Sequence, residues 1–248
     1  MGAVRVDPRI PEKIEISAVV PVFNEEESLP VLIPKLAKVL DSLGVTYEMI
    51  FVDDGSSDGS RRILKEMASR YPSLRLIRFK ENRGLSTALY AGIKEARGEK
   101  IVTLDSDLQN DPVDIPKLIA YLDTHDMVTG WRQNREDPWL KRVSSRIANR
   151  IRNRLSGEEI KDSACTLRVF KKECVSEIRP FNGMHRFLST LVKAEGYRII
   201  EVPVSHHPRR FGKSKYNIRN RMVRSFVDLL GVRWMKSRRI YYDVEERI

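Results

Sequence analysis

Three acidic segments each close an apolar run, and they hold the side chains whose types and spacing suit chemistry. The run Ile16–Phe23 ends in Pro21-Val22-Phe23-Asn24-Glu25-Glu26. Tyr47–Val52 ends in Asp53-Asp54-Gly55-Ser56-Ser57-Asp58-Gly59, and Ile101–Leu104 in Asp105-Ser106-Asp107-Leu108-Gln109. Asp105 and Asp107 are alternate residues of an extended segment, so both carboxylates can face the same way. Two hard oxygen ligands, completed by diphosphate oxygens, suit Mg2+ or Mn2+. A metal there would act as a Lewis acid on a departing diphosphate. Asp-x-Asp alone is a common acidic turn, and its position after an apolar strand is what points to a metal. Asp53 and Asp54 could accept hydrogen bonds from the N–H edge of a base or from ribose hydroxyls. Capping of the following helix falls to Ser57 or Asp58 and does not account for them. Asn82-Arg83-Gly84 reads equally as a plain turn or as the source of an Arg for base or phosphate.

The elements that must position these residues follow from hydrophobic spacing. Leu29, Leu32, Ile33, Leu36, Val39 and Leu40 recur at helical intervals, with Gly44 as the stop. Ile63, Leu64 and Met67 mark a second helix; Leu74–Phe79 is a third strand, and Ser86–Ala96 a third helix stopping at Gly98. Ile101–Leu104 is short and wholly apolar, as a buried parallel strand should be. This alternation predicts an α/β chain with a doubly wound, mainly parallel sheet, whose ligands sit beyond the carboxyl ends of the strands. All three acidic segments fall on that rim. Like charges gathered there repel unless a cation or donor groups compensate. After Gly130 the character changes: 137–156 is Arg-rich and helical, Cys165–Phe170 and Tyr197–Val204 read as added strands, and Phe211–Tyr216 as a Gly/Ser/Lys loop. The expected organisation is one domain over 14–216 with a basic, amphipathic helical tail over 217–248.

The chain's 248 residues suffice for one large α/β domain, and 41% hydrophobic with 32% charged residues argues against wholesale disorder. Lys plus Arg is 45 against 34 Asp plus Glu, a net +11 that favours anionic partners: nucleic acid, an anionic membrane surface or phosphorylated substrates. Cys165 and Cys174 have no zinc spacing with the four histidines and read as reduced thiols of a cytosolic chain. His206 and His207 are neighbours on a strand, so they face opposite sides and make a poor metal pair. No signal peptide and no run of about 18 apolar residues is seen.

The segments VVPVFNEEESL (19–29), FVDDGSSDGS (51–60), NRGLSTALYAG (82–92) and LDSDLQNDP (104–112) resemble those of the family 2 inverting glycosyltransferases, which have the GT-A fold. GWRQNRED (130–137), SSRIANRI (144–151), DSACTLRVFKK (162–172) and HPRRFGKSKYN (207–217) are similar to the branch that charges polyprenyl phosphates, including the dolichol-phosphate mannose synthases. The resemblance covers about residues 16–235. It implies that Pro21, Phe23 and Glu25 line a nucleotide pocket with Asp53 on the base. It implies that Asp105 and Asp107 hold the metal and donor diphosphate, with Gln109 adjacent. Arg132 would meet the acceptor phosphate, helped by Lys141 or Arg142 and by Ser145. Arg209, Ser214 and Lys215 would lie on a loop closing over both phosphates, and Asp162 would lie near the acceptor.

The chemistry is coherent on its own terms. A phosphate monoester, with a second pKa of about 6, is already anionic and needs little help from a base. It does need cations to overcome repulsion from the donor diphosphate, and Arg and Lys supply them. In-line displacement with inversion is implied by the resemblance. In the tail, Met222, Phe226, Leu229, Leu230 and Trp234 lie among Arg219, Arg221, Arg224, Arg233, Lys236, Arg238 and Arg239. Such a helix suits an anionic bilayer surface; the alternative is a helix packed on the sheet with a solvated basic face.

The expectation is therefore transfer of a hexose-type sugar from a UDP- or GDP-linked donor to a polyprenyl monophosphate. The enzyme would sit peripherally at the cytoplasmic face of the membrane, bound to the bilayer or to a membrane partner. A soluble or glycan acceptor is the near alternative. A nucleic-acid-binding protein, or a degenerate membrane-docked scaffold, is the alternative from another class. The acidic rim speaks against nucleic acid, and the intact Asp105 and Asp107 against a scaffold. Base, sugar, lipid length and oligomeric state stay open.

Overall fold

A computed structural model describes residues 13–132, 160–211, 218–240 and 246, with the side chains of 218–224 left aside. Strands β1 (Ile16–Val22), β2 (Tyr47–Asp53), β3 (Leu74–Arg78) and β4 (Lys100–Thr103) alternate with helices α1 (Leu29–Asp41), α2 (Ser60–Arg70) and α3 (Leu85–Glu95). A short α4 (Ile115–Ile119) follows, then β5 (Met127–Arg132), β6 (Arg168–Lys171), α5 (Leu188–Ala194), β7 (Ile199–Val204) and α6 (Ile218–Ser237). The seven strands form one sheet in the order β3-β2-β1-β4-β6-β5-β7. All pairings are parallel except those of β6, which runs antiparallel to both β4 and β5.

The amino-terminal half agrees with the expected elements to within a residue or a few at each end. Every residue of β1 is buried, because β1 lies between β2 and β4 with helices on both faces. Its alternating side chains feed two cores. Ala18, Val20 and Val22 pack with Leu32, Leu36 and Leu64 on one face, whereas Val19 packs with Ala88, Leu89 and Ile93 on the other. Helix α3 sits so close to the sheet that a Cβ on Gly92 would collide with Val19 Cγ1. At the end of β2, Gly55 has φ +71° and a Cβ there would meet the Glu81 backbone at 2.6 Å, so the turn needs glycine twice over.

The carboxyl-terminal half departs further. Strand β5 is not foreseen by the sequence: Met127–Arg132 is short and carries Thr and Gly where an apolar run would be expected. The strand expected from Cys165 begins at Arg168, since residues 163–166 form a turn and its exit. Helix α5 was likewise missed; its seven residues are too few for a helical period to stand out. The Arg-rich stretch 137–156 and most of the loop Phe211–Tyr216 lie outside the described residues.

Helix α6 uses two faces. Leu229 and Val232 are buried against Phe187, with Phe181 and Leu191 beside them, and Asp228 pairs with Arg186 at 3.3 Å. Phe226, Val227, Leu230 and Trp234 are 51%, 61%, 45% and 64% exposed on the other side. Among the described residues no helix is long and apolar enough to cross a membrane.

Candidate active site

Strand order reverses between β1 and β4, and β1 runs on past β4, whose pairing with it stops at Val19–Thr103. A crevice therefore opens above β4 at the topological switch point, where open α/β sheets bind ligands. The acidic ends of β1, β2 and β4 all reach this rim.

The first two loops brace each other. Asn24 adopts φ 54°, and its Oδ1 accepts the Ser57 N–H at 2.7 Å, while its own N–H donates to Ser56 Oγ at 2.9 Å. The Glu25 N–H donates to Ser60 Oγ at 2.8 Å, which sets the Glu25 carboxylate, 9% exposed, over the crevice. Pro21 is buried at the end of β1, and Phe23 is half-buried at the bend that follows.

Asp53 is fully buried. Its Oδ1 accepts the Ser56 N–H at 2.8 Å; Oδ2 accepts no hydrogen bond but forms an ion pair with Arg78 Nε at 3.3 Å. A buried carboxylate oxygen without a donor is costly in the free protein and is a ready acceptor for a ligand N–H. Asp54 is different: its two oxygens accept the Arg83 N–H at 2.6 Å and the Gly84 N–H at 2.9 Å. Burial raises its pKa, and those two N–H groups oppose the rise. Asp54 thus ties down the Asn82-Arg83-Gly84 turn. The Arg83 side chain pairs with Glu81 at 2.5 Å.

Asp105 and Asp107 leave β4 together. Burial, and then the charge of Asp107, push the Asp105 carboxyl up to about 6, against the hydrogen bond of Thr166 and the charges of Arg168 and Arg132. Asp107, 7% exposed, accepts the Gln109 N–H at 3.1 Å on Oδ1 and Arg209 NH2 at 2.7 Å on Oδ2. The same guanidinium meets Glu25 Oε1 at 3.2 Å through NH1.

Arg132, at the end of β5, makes a forked pair with Asp162: Nε to Oδ2 at 2.6 Å and NH2 to Oδ1 at 2.8 Å. Burial works against the Arg132 charge, but Asp162 outweighs it and holds the guanidinium above its ordinary pKa. Asp162 is steadied by Glu201, which accepts its N–H at 2.9 Å. Cys165 is buried and its thiol is pushed up to about 12, so it stays protonated and is no nucleophile. His207 turns to Asp111 at 3.3 Å. Lys141, Arg142, Ser145, Ser214 and Lys215 lie outside the described residues.

Sequence reasoning missed Arg168 and Thr166. Arg168 is 1% exposed on interior strand β6, where its charge acts on Asp105; NH2 donates to the Ser163 carbonyl at 3.1 Å and Nε has no acceptor. Burial lowers its pKa. The available signal was a charged residue between Leu167 and Val169 in an otherwise apolar strand. Among the described residues no three His, Cys, Asp or Glu side chains converge as a metal centre. The donor set still fits a metal bound mainly through a ligand: two carboxylates from one turn, one of them already holding a cation in the form of Arg209.

Residues 17–179 match glycosyl transferase family 2. A dodecaprenyl-phosphate galacturonate synthase of Rhizobium johnstonii is 37% identical over 227 residues, covering 89% of this chain and 67% of that protein. Among solved structures, glucosyl-3-phosphoglycerate synthase of Mycobacterium tuberculosis, in complex with Mn2+, UDP and phosphoglyceric acid, superimposes with a TM-score of 0.68 at 19% identity over 90% of this chain and 78% of that one. Its complex with Mn2+ and UDP-glucose gives a TM-score of 0.67 at 20% identity, covering 89% and 79%. Sheet order, acidic rim and family match agree: the chain belongs to glycosyl transferase family 2 and is a glycosyltransferase with the GT-A fold.

Proposed function

We propose that this enzyme transfers a hexose-type sugar from a UDP- or GDP-linked donor to a polyprenyl monophosphate, with inversion at the anomeric carbon. The observation that carries the donor half is the set Asp53, Asp105 and Asp107 at the switch point, with an Asp53 oxygen that accepts no hydrogen bond and an Asp105 carboxyl pushed up by burial and by the charge of Asp107. Support for the lipid half comes from the named activity of the Rhizobium relative and from the GWRQNRED and HPRRFGKSKYN segments.

In this reading Asp53 Oδ2 accepts the base N–H, and Pro21, Phe23, Glu25 and Asp54 shape the nucleotide pocket. Asp105 and Asp107, with Gln109 beside them, would hold Mg2+ or Mn2+, which supplies Lewis-acid stabilisation of the leaving diphosphate. Arg132, oriented by Asp162, offers a guanidinium to the acceptor phosphate, with Lys141 or Arg142 and Ser145. Arg209, Ser214 and Lys215 screen the two phosphate groups from each other. The acceptor oxygen is already anionic, so the residues' task is approach and alignment rather than proton removal. Residues 14–216 form the transferase domain and 217–248 the tail. Phe226, Leu230 and Trp234, flanked by Arg233 and Lys236, rest on an anionic membrane surface at the cytoplasmic face, alone or with a membrane partner.

The test is extraction. The purified enzyme is incubated with labelled UDP- or GDP-sugars, Mn2+ and liposomes containing undecaprenyl phosphate. Label entering the organic phase only when that lipid is present is the expected result. Label confined to a water-soluble product, formed with phosphorylated small acceptors instead, would overturn the lipid assignment.

A further inference from the structure

Arg209 lies far along the chain from the acids it meets, and backbone contacts bring it there. The His207 N–H donates to the Gln109 carbonyl at 2.9 Å, and Asn110 and His206 form an antiparallel bridge. This short strap fastens the segment after β7 to the loop after β4. From it the Arg209 side chain, 27% exposed, spans the crevice with NH2 2.7 Å from Asp107 Oδ2 and NH1 3.2 Å from Glu25 Oε1. Both carboxylate side chains are 9% exposed. A guanidinium thus already neutralises the carboxylate that the proposed function assigns to a divalent ion. Both cations cannot hold the same Asp107 oxygen at contact distance without strong repulsion.

We propose that Arg209 is a resident counter-cation which a divalent ion must displace from Asp107, and that the nucleoside diphosphate assists by giving the displaced guanidinium a new anionic partner. The inference rests on the metal reading of Asp107 and adds a coupling to it. In the free protein the strap and the forked reach of Arg209 keep the acidic ends of β1 and β4 together. A metal arriving alone competes with a preformed ion pair, so it binds weakly. A metal arriving with a diphosphate meets less opposition, because phosphate oxygens accept from guanidinium as well as carboxylates do. Metal and nucleotide then raise each other's affinity by the same factor, as linkage requires. The consequence is economy of the site: it stays neutralised when no donor is present and does not sequester free divalent ions.

The experiment titrates Mn2+ alone, followed by electron paramagnetic resonance of the free ion, into the wild type, Arg209→Gln and Arg209→Lys. Each titration is repeated with UDP and with GDP. The expected result is that Arg209→Gln binds Mn2+ alone about tenfold more tightly than wild type, about 1.4 kcal/mol. It should also lose most of the mutual enhancement between Mn2+ and nucleotide. Arg209→Lys, which keeps the charge, should stay near wild type for Mn2+ alone. Equal or weaker Mn2+ binding by Arg209→Gln, with wild-type Mn2+ binding in the presence of nucleotide, would overturn the displacement while leaving the metal reading standing. No Mn2+ binding by any of the three proteins, with or without nucleotide, would overturn both. Unfolding curves for the variants check that the fold is retained.

Discussion

The two ends of the central sheet treat buried carboxylates in opposite ways. At the amino-terminal end Glu48 is fully buried, yet both of its carboxylate oxygens are taken by the protein. Its Oε1 accepts the Ser17 hydroxyl at 2.6 Å and the Arg97 N–H at 2.7 Å, and its Oε2 takes Arg75 NH1 at 2.7 Å. At the carboxyl-terminal end Asp53 keeps one buried oxygen that has the charge of Arg78 beside it but accepts no hydrogen bond, and Asp105 is pushed up to about 6 by burial and by Asp107. A carboxylate completed by its own protein is a structural element. One left incomplete in the free state is poised for a ligand, and its cost is offset only when that ligand binds. Position on the sheet decides which is which: Ser17, Arg75 and the Arg97 N–H complete Glu48, whereas the strand order opens the other end.

The contrast can be broken at either end. The largest effect is expected at Asp107. Asp107→Asn should lower turnover roughly a thousandfold, as for removal of a group that stabilises charge in the transition state. Its unfolding midpoint should move little, because loss of the Arg209 pair at 2.7 Å offsets relief of the like charge next to Asp105. Near-normal turnover in a labelled-sugar assay would break the site half of the contrast. Glu48→Ala should do the reverse. Leaving Arg75 and the Ser17 and Arg97 donors without their acceptor should cost about 3–5 kcal/mol in denaturant unfolding. The folded fraction should keep its turnover.

Arg132 is the case that sharpens the comparison. Its forked pair with Asp162 occupies both carboxylate oxygens, as the partners of Glu48 do, but it sits at the open end of the sheet. Arg132→Ala should raise the acceptor KM roughly tenfold, against less than about twofold for the donor. If only stability falls, Arg132 belongs with Glu48 as a structural element. The smallest effect should come from Phe226→Ser with Trp234→Ser on α6. Sedimentation with anionic liposomes should weaken, while stability stays within about 0.5 kcal/mol, because both side chains are exposed. Unchanged liposome binding would remove α6 from the membrane account.

Much of the open end was legible in the sequence. β1, β2 and β4 are apolar runs because helices cover both faces, so their acidic ends could be counted onto one rim from the sequence alone. Asp53, Asp105 and Asp107 could be found that way. What could not be read is which acids the protein itself completes. Asp54 looks like its neighbour Asp53, and only the fold brings the Arg83 and Gly84 N–H groups to it. Arg209 could be placed near phosphates by motif, but its contact with Glu25 and Asp107 depends on the strap after β7. Strand β5 was hidden because Thr129 and Gly130 interrupt its pattern. Gly130 is there because a Cβ would lie 2.8 Å from both Cys165 Sγ and Val204 Cγ2, a tertiary constraint that leaves no periodic trace.

The most direct test of the central claim, that nucleotide and metal complete the carboxyl-terminal rim, is thermal unfolding of wild type and Asp107→Asn with Mn2+, UDP and GDP, singly and combined. Ligand at a hundred times its Kd stabilises by about 2.7 kcal/mol. For a chain of this size that is a rise in Tm of roughly 5–10 °C. The account predicts that rise in the wild type for Mn2+ with one of the two nucleotides, little for either component alone, and none in Asp107→Asn. An equal rise in the variant, or a full rise with nucleotide in the absence of metal, would contradict it.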